Sequence, residues 1–137
     1  MKKLAVIVTR GAYNNLLQAC ELVRLAAASG TQVSVLFRDE AAARLTHEKI
    51  KEIPFSEAYR GRESRTRELL RERKRHDLPA MLREIKEKGD AKFCVCRDSL
   101  AYFEIGVEQL IPELDEVQPA EAFWKESVVT SDHVLTF

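Results

Sequence analysis

Residues 4–37 read LAVIVTRGAYNNLLQACELVRLAAASGTQVSVLF, and this stretch decides the fold class. Leu4-Ala5-Val6-Ile7-Val8 is a short apolar, partly β-branched run, the pattern of a strand buried on both faces. Thr9-Arg10-Gly11-Ala12 turns the chain, and a helix is expected from about Tyr13 to Ser29. Its apolar stripe is Leu16, Cys20, Val23 and Ala27, at steps of four, three and four. Gly30 stops the helix, and Val33 to Phe37 forms a second strand. Two strands joined through a helix make a βαβ unit, and that connection belongs to parallel strands.

The same rhythm continues. Arg38-Asp39-Glu40 opens a short helix over Ala41 to Leu45, and a regular helix starts near Asp77, with Pro79 in its first turn and Gly89 beyond its end. Ala91 to Cys96 is a third buried strand, followed by Arg97-Asp98-Ser99 and a helix over Leu100 to Ile105. A short strand near Glu116 to Gln118, a helix started by Pro119 and a strand from His133 to Phe137 complete the pattern. Phe123 and Trp124 are adjacent on that short helix and cannot both face one core. Five strands alternating with helices predict a single domain over residues 1–137, an open three-layer α/β/α fold on a mostly parallel sheet. A charged insertion at about 54–77 interrupts it. From Arg60 to Arg75 there are eight basic and three acidic residues, which a solvated helix or a subunit contact explains better than a nucleic-acid surface, because interleaved aromatics are missing.

Composition removes several classes of function. The 22 basic and 22 acidic residues cancel, so no global field draws the chain to nucleic acid or to an anionic membrane. No stretch approaches the roughly 20 apolar residues of a membrane span, and the apolar run after Met1-Lys2-Lys3 is too short for a signal peptide. Three cysteines, an odd number, suggest a reducing cytoplasm. Neither zinc spacing nor a glycine-rich nucleotide loop occurs, so no metal or organic cofactor is expected.

In a sheet of this kind ligands gather at the carboxyl ends of the strands. There Cys96 meets the amino terminus of a helix, whose unpaired N–H groups and dipole favour a thiolate. Arg10, Arg38 and Arg97 each follow a strand closely and could share a basic mouth with the thiol, or could fall there by chance. Arg97 is expected to favour the thiolate and Asp98 to oppose it. The turn Thr9 to Asn15, which contains Gly11, could hold an anion on its N–H groups or simply cap its helix. Cys20 and Cys94 are read as core residues.

The run Lys92-Phe93-Cys94-Val95-Cys96, then Ser99, then Glu108-Gln109-Leu110-Ile111-Pro112-Glu113-Leu114 resembles the DsrE/DsrF-like family of small sulfur-relay proteins. Members commonly show a strand ending in cysteine, a serine three residues on and an acidic Leu-x-Pro-Glu stretch. The resemblance implies strand order 4-3-2-1-5, assembly into homo-oligomers (trimers or hexamers), and a cysteine, here Cys96, that carries persulfide sulfur between donor and acceptor proteins. Ser99, Arg97, Arg38, Arg10 and Gly11 are the candidates for thiol activation or anion binding. A glycine often found eight residues after the family cysteine is Glu104 here, so the helix end is expected to differ. The sequence therefore points to a sulfur carrier or sulfurtransferase. The rival reading is a non-catalytic oligomeric module that binds a small anion or a partner protein.

Overall fold

A computed structural model describes residues 1–137. Its five strands are β1 (Lys3–Val8), β2 (Gln32–Phe37), β3 (Ala91–Cys96), β4 (Glu116–Gln118) and β5 (His133–Thr136). All neighbours pair in parallel, in the order β4-β3-β2-β1-β5. The six helices are α1 (Tyr13–Ala28), α2 (Asp39–Ala43), α3 (Glu63–Glu72), α4 (Leu78–Lys88), α5 (Arg97–Tyr102) and α6 (Ala120–Phe123), the last continuing as a π-helical stretch, Trp124–Val128. No helix is long and apolar enough to cross a membrane.

Strand order dictates how the faces are covered. Steps β1 to β2 to β3 to β4 all move one way, so right-handed crossovers place their helices on one face. Here Val6, Val8, Val35, Phe37 and Phe93 meet Leu16, Cys20 and Val23 of α1 and Leu82 and Ile85 of α4 in a cluster of 20 buried residues. Burying one such Leu, Val or Phe side chain contributes roughly 1.5–3 kcal/mol. The return from β4 to β5 runs back across the sheet, and its helix covers the other face. That face is thin: Ala5, Leu36, Cys94 and Cys96 pack with Phe123 in a cluster of five buried residues, with Ile7 and Val128 at its margin. Trp124 is exposed while Phe123 is buried, as adjacent residues on one short helix must be.

Local rules account for the helix ends. Asp77 caps α4 by accepting from the Ala80 N–H at 3.1 Å. Helix α1 closes with Gly30 at φ +89°, its N–H reaching Ala27 O at 3.1 Å and the Thr31 N–H reaching Ala26 O at 3.1 Å, a Schellman motif. Helix α5 closes the same way through Glu104 at φ +53°, with Glu104 N–H to Ala101 O at 3.1 Å and Ile105 N–H to Leu100 O at 2.9 Å. A carboxylate residue there holds the left-handed backbone that glycine adopts freely. The basic segment does form a helix, α3, which buries none of its residues. It is tied down at its flanks: Arg67 stacks over Phe55 at 5.3 Å and donates to Ile53 O at 3.1 Å, and the Tyr13 hydroxyl donates to Arg75 O at 2.6 Å.

Candidate functional site

Strand parity builds the site. Cys94 pairs with Leu36 and Glu116, and Cys96 pairs with Gln118, in the parallel register of β2, β3 and β4. Continuing β2 by one extended step brings Arg38 level with Cys96, because the Arg38 backbone is still extended, with φ −127° and ψ 163°. Side chains two residues apart share a face, so Arg38, Cys96 and Gln118 form a row across three strands. The row lies where β3 leads to α5 on one face and β4 leads to α6 on the other. Such reversals are where open α/β sheets bind ligands.

Cys96 is the residue immediately before α5, and its thiol has no solvent exposure. Burial alone pushes the thiol pKa up. The donors beside it, the Ser99 backbone N–H and hydroxyl, the Arg38 guanidinium and the Asp98 backbone N–H, favour the charged form and outweigh burial, so Cys96 lies below the ordinary thiol value. The Ser99 hydroxyl is aimed by its other partner, since its Oγ accepts the Asp39 N–H at 2.8 Å and leaves the hydroxyl proton to donate. Asp39 delivers that N–H from a left-handed backbone, φ +51°, at the turn between β2 and α2. The other two thiols are different. Desolvation raises Cys20 to about 12 and Cys94 to about 12, both buried in apolar clusters.

Of the residues singled out from sequence, the structure gathers Arg38 and Ser99 around Cys96. Arg97 is exposed on α5 and supplies none of the hydrogen bonds that lower the Cys96 pKa, and Asp98 contributes its backbone N–H rather than its carboxylate. Arg10 stands apart, lining an open cleft of about 420 Å³ with Thr9, Asn15, Gln18, Thr136 and Phe137. Gly11 has a packing role: a Cβ there would come within 2.9 Å of the Glu40 carbonyl oxygen, so α2 can lie against the β1 turn only over a glycine. Sequence reasoning missed Gln118 and Asp39. The alternation of β4, with Val117 turned to one side and Glu116 and Gln118 to the other, is the signal for Gln118 once β4 is known to flank β3.

The sequence profile of the DsrE/DsrF-like family matches residues 2–137. The chain belongs to this family. No curated protein matches the sequence. Among solved structures it is similar to the protein of unknown function MTH1491 from Methanobacterium thermoautotrophicum, with a TM-score of 0.65 and 11% identity over 98% of this chain and 99% of that one. That likeness concerns the fold. Strand β3 of this chain ends in Cys96, with Ser99 three residues on. Glu104, eight residues after Cys96, holds a left-handed backbone.

Proposed function

We propose that this DsrE/DsrF-like protein is a sulfur carrier or sulfurtransferase that holds persulfide sulfur on Cys96. The supporting observation is the place of Cys96, level with Arg38 and Gln118 across three strands and immediately before α5, where neighbouring donors lower its thiol pKa while burial raises the other two thiols to about 12. In the reaction the Cys96 thiolate attacks the outer sulfur of a donor persulfide. A new S–S bond forms on Sγ as the donor's own S–S bond breaks, and the bonding pair leaves on the donor sulfur as a thiolate. Attack by an acceptor thiolate on the outer sulfur then returns Cys96 to the thiolate. The chemistry suits a reducing compartment such as the cytoplasm and needs no metal or organic cofactor.

Because Cys96 is buried, the cover must lift. The candidate is the segment from Pro119 to Val128, which carries Phe123 and is held by the small cluster of five rather than by the main core. Its π-helical turn is a geometry common at functional sites, and few buried contacts make for low local opening free energy. Homo-oligomeric assembly, as trimer or hexamer, belongs to the same reading. It is supported by exposed Trp124 and Val129 together with Val134 and Leu135 of the edge strand β5, an unpaired edge that proteins usually cover. The full burial of Cys96 is what favours the rival reading of a non-catalytic binding module. Alkylation mapped by mass spectrometry separates the two. At neutral pH Cys96 should be modified well before Cys20 and Cys94, and equal, slow modification of all three supports the binding module.

A further inference from the structure

Two buried side-chain atoms have no hydrogen-bond partner, Arg38 Nε and Gln118 Oε1. One is a donor and the other an acceptor, and they belong to the residues that flank Cys96 on either side across the sheet. Gln118 is 5% exposed. Its amide is not free to turn: Nε2 donates to Glu116 and, at 3.2 Å, to Glu126 Oε2 of the covering helix. Two carboxylates claim the nitrogen, so the carbonyl end is fixed as an unpaired acceptor in the dry face beside Cys96. An orphaned buried acceptor is costly, by about 1–3 kcal/mol, and native structures keep few of them.

We infer that Gln118 is a positioning residue for the sulfur carried on Cys96: its Oε1 accepts the S–H of a Cys96 hydropersulfide, while Arg38 faces the inner sulfur. This rests on the persulfide reading above and assigns a task to each end of the S–S bond. An acceptor thiolate can displace the inner sulfur only if the outer one is electrophilic, and a protonated outer sulfur is a far better electrophile than an anionic one. Gln118 favours the protonated form. Arg38, Ser99 and the N–H groups of α5 stabilise the Sγ thiolate as it leaves, and a leaving thiol of lower pKa leaves faster. In the transfer the acceptor's electron pair forms the new S–S bond, the pair of the broken bond stays on Sγ, and the proton remains on the moving sulfur. Nothing external is oxidised or reduced.

The charged and titratable groups around the row are Arg38 from the end of β2, Lys92 and Cys94 from β3, Glu116 from β4, Asp98 from α5 and Glu126 from the covering helix. Lys92 pairs with Glu116 at 2.9 Å, so Arg38 is the cation that faces the sulfur without a carboxylate partner.

The test uses the full-length protein loaded with inorganic polysulfide, checked by intact mass, then mixed with a small alkyl thiol. Q118M keeps length and burial and removes the acceptor. With rates normalised to the loaded fraction read by intact mass, it should transfer sulfur about tenfold more slowly at neutral pH, the effect of one lost hydrogen bond. The pH midpoint for alkylation of the outer sulfur should fall, and transfer should recover at lower pH, where the persulfide is protonated again. A merely structural role would not move that midpoint. Should Q118M not fold, E126Q at an exposed position loosens one anchor of the amide and must shift the midpoint the same way, to a smaller extent. An unchanged midpoint in loaded protein overturns the role of Gln118 and leaves the persulfide reading standing. Wild-type protein that takes up no sulfur removes both, and shows it before any variant is made.

Discussion

Replacing Ser99 with alanine removes one hydroxyl that serves two neighbours. Its Oγ accepts the Asp39 N–H at 2.8 Å, and its proton is one of the donors that hold the Cys96 thiol below its ordinary pKa. Losing the acceptor strands a part-buried N–H, at a cost of about 1–3 kcal/mol, at a residue whose left-handed backbone already stores strain. Losing the donor weakens a hydrogen bond to a charged sulfur, worth about 1.5–3 kcal/mol. The lower figure corresponds to about a tenfold change in the ionisation constant. A more basic thiolate is intrinsically more nucleophilic, with a slope of about 0.4–0.5, so the net loss of alkylation rate at neutral pH is only about threefold. The decisive readout is therefore the pH midpoint of Cys96 alkylation, which must rise in S99A while the high-pH plateau rises slightly. The sign extends to stability. A thiol whose folded pKa is lowered stabilises the fold above the unfolded thiol pKa, and that contribution fades as pH falls through the folded value. S99A should lose this alkaline benefit in addition to the pH-independent loss at Asp39. An unchanged midpoint would refute the assignment of Ser99 as a donor to Cys96.

Three further outcomes follow from the structure. Cys20 is raised to about 12 by burial, so the folded state resists its ionisation while the unfolded chain does not, and stability is lost as pH climbs from about 9 toward 12. Urea unfolding of C20A over that window should show a slope shallower than wild type by about 1.4 kcal/mol per pH unit; an identical slope would count against that burial. Glu104→Gly should be neutral to stabilising by about 1 kcal/mol, because relief of a left-handed penalty of about 1–2 kcal/mol exceeds the flexibility cost of about 0.5–1 kcal/mol, and a clear drop in Tm would contradict the Schellman geometry of α5. Light scattering at micromolar concentration should return a trimer or hexamer, and Trp124→Glu should dissociate it; a 15.7 kDa particle for the wild type would end the oligomer reading.

Much of the fold was legible because β1, α1 and β2 carry their own punctuation: an apolar run, a stripe at helical spacing and a glycine at the end. The parallel sheet, the strand-terminal Cys96 and the core character of Cys20 and Cys94 follow from local patterns of that kind. The choice of arginine did not. Arg38 and Arg97 both sit one residue past a strand, but Arg38 remains extended and keeps the parity of Leu36, whereas Arg97 is already the first residue of α5 and turns outward. Gln118 was hidden for a related reason. Its strand has three residues, too few for alternation to declare itself, and only the register with β3 brings it level with Cys96. The complete burial of the thiol depends on the return of the chain from β4 to β5 across the thin face, a long-range event with no local signature.

Of the three cysteines, Cys96 is the one proposed to carry sulfur. Intact-mass measurement after incubation with a small-molecule persulfide donor tests it most directly. One sulfur atom should be gained by the wild type, by C20S and by C94S, reversibly on treatment with a reducing thiol, and none by C96S with its fold intact by circular dichroism. Sulfur uptake that persists in folded C96S, or a wild type that gains none, would contradict it.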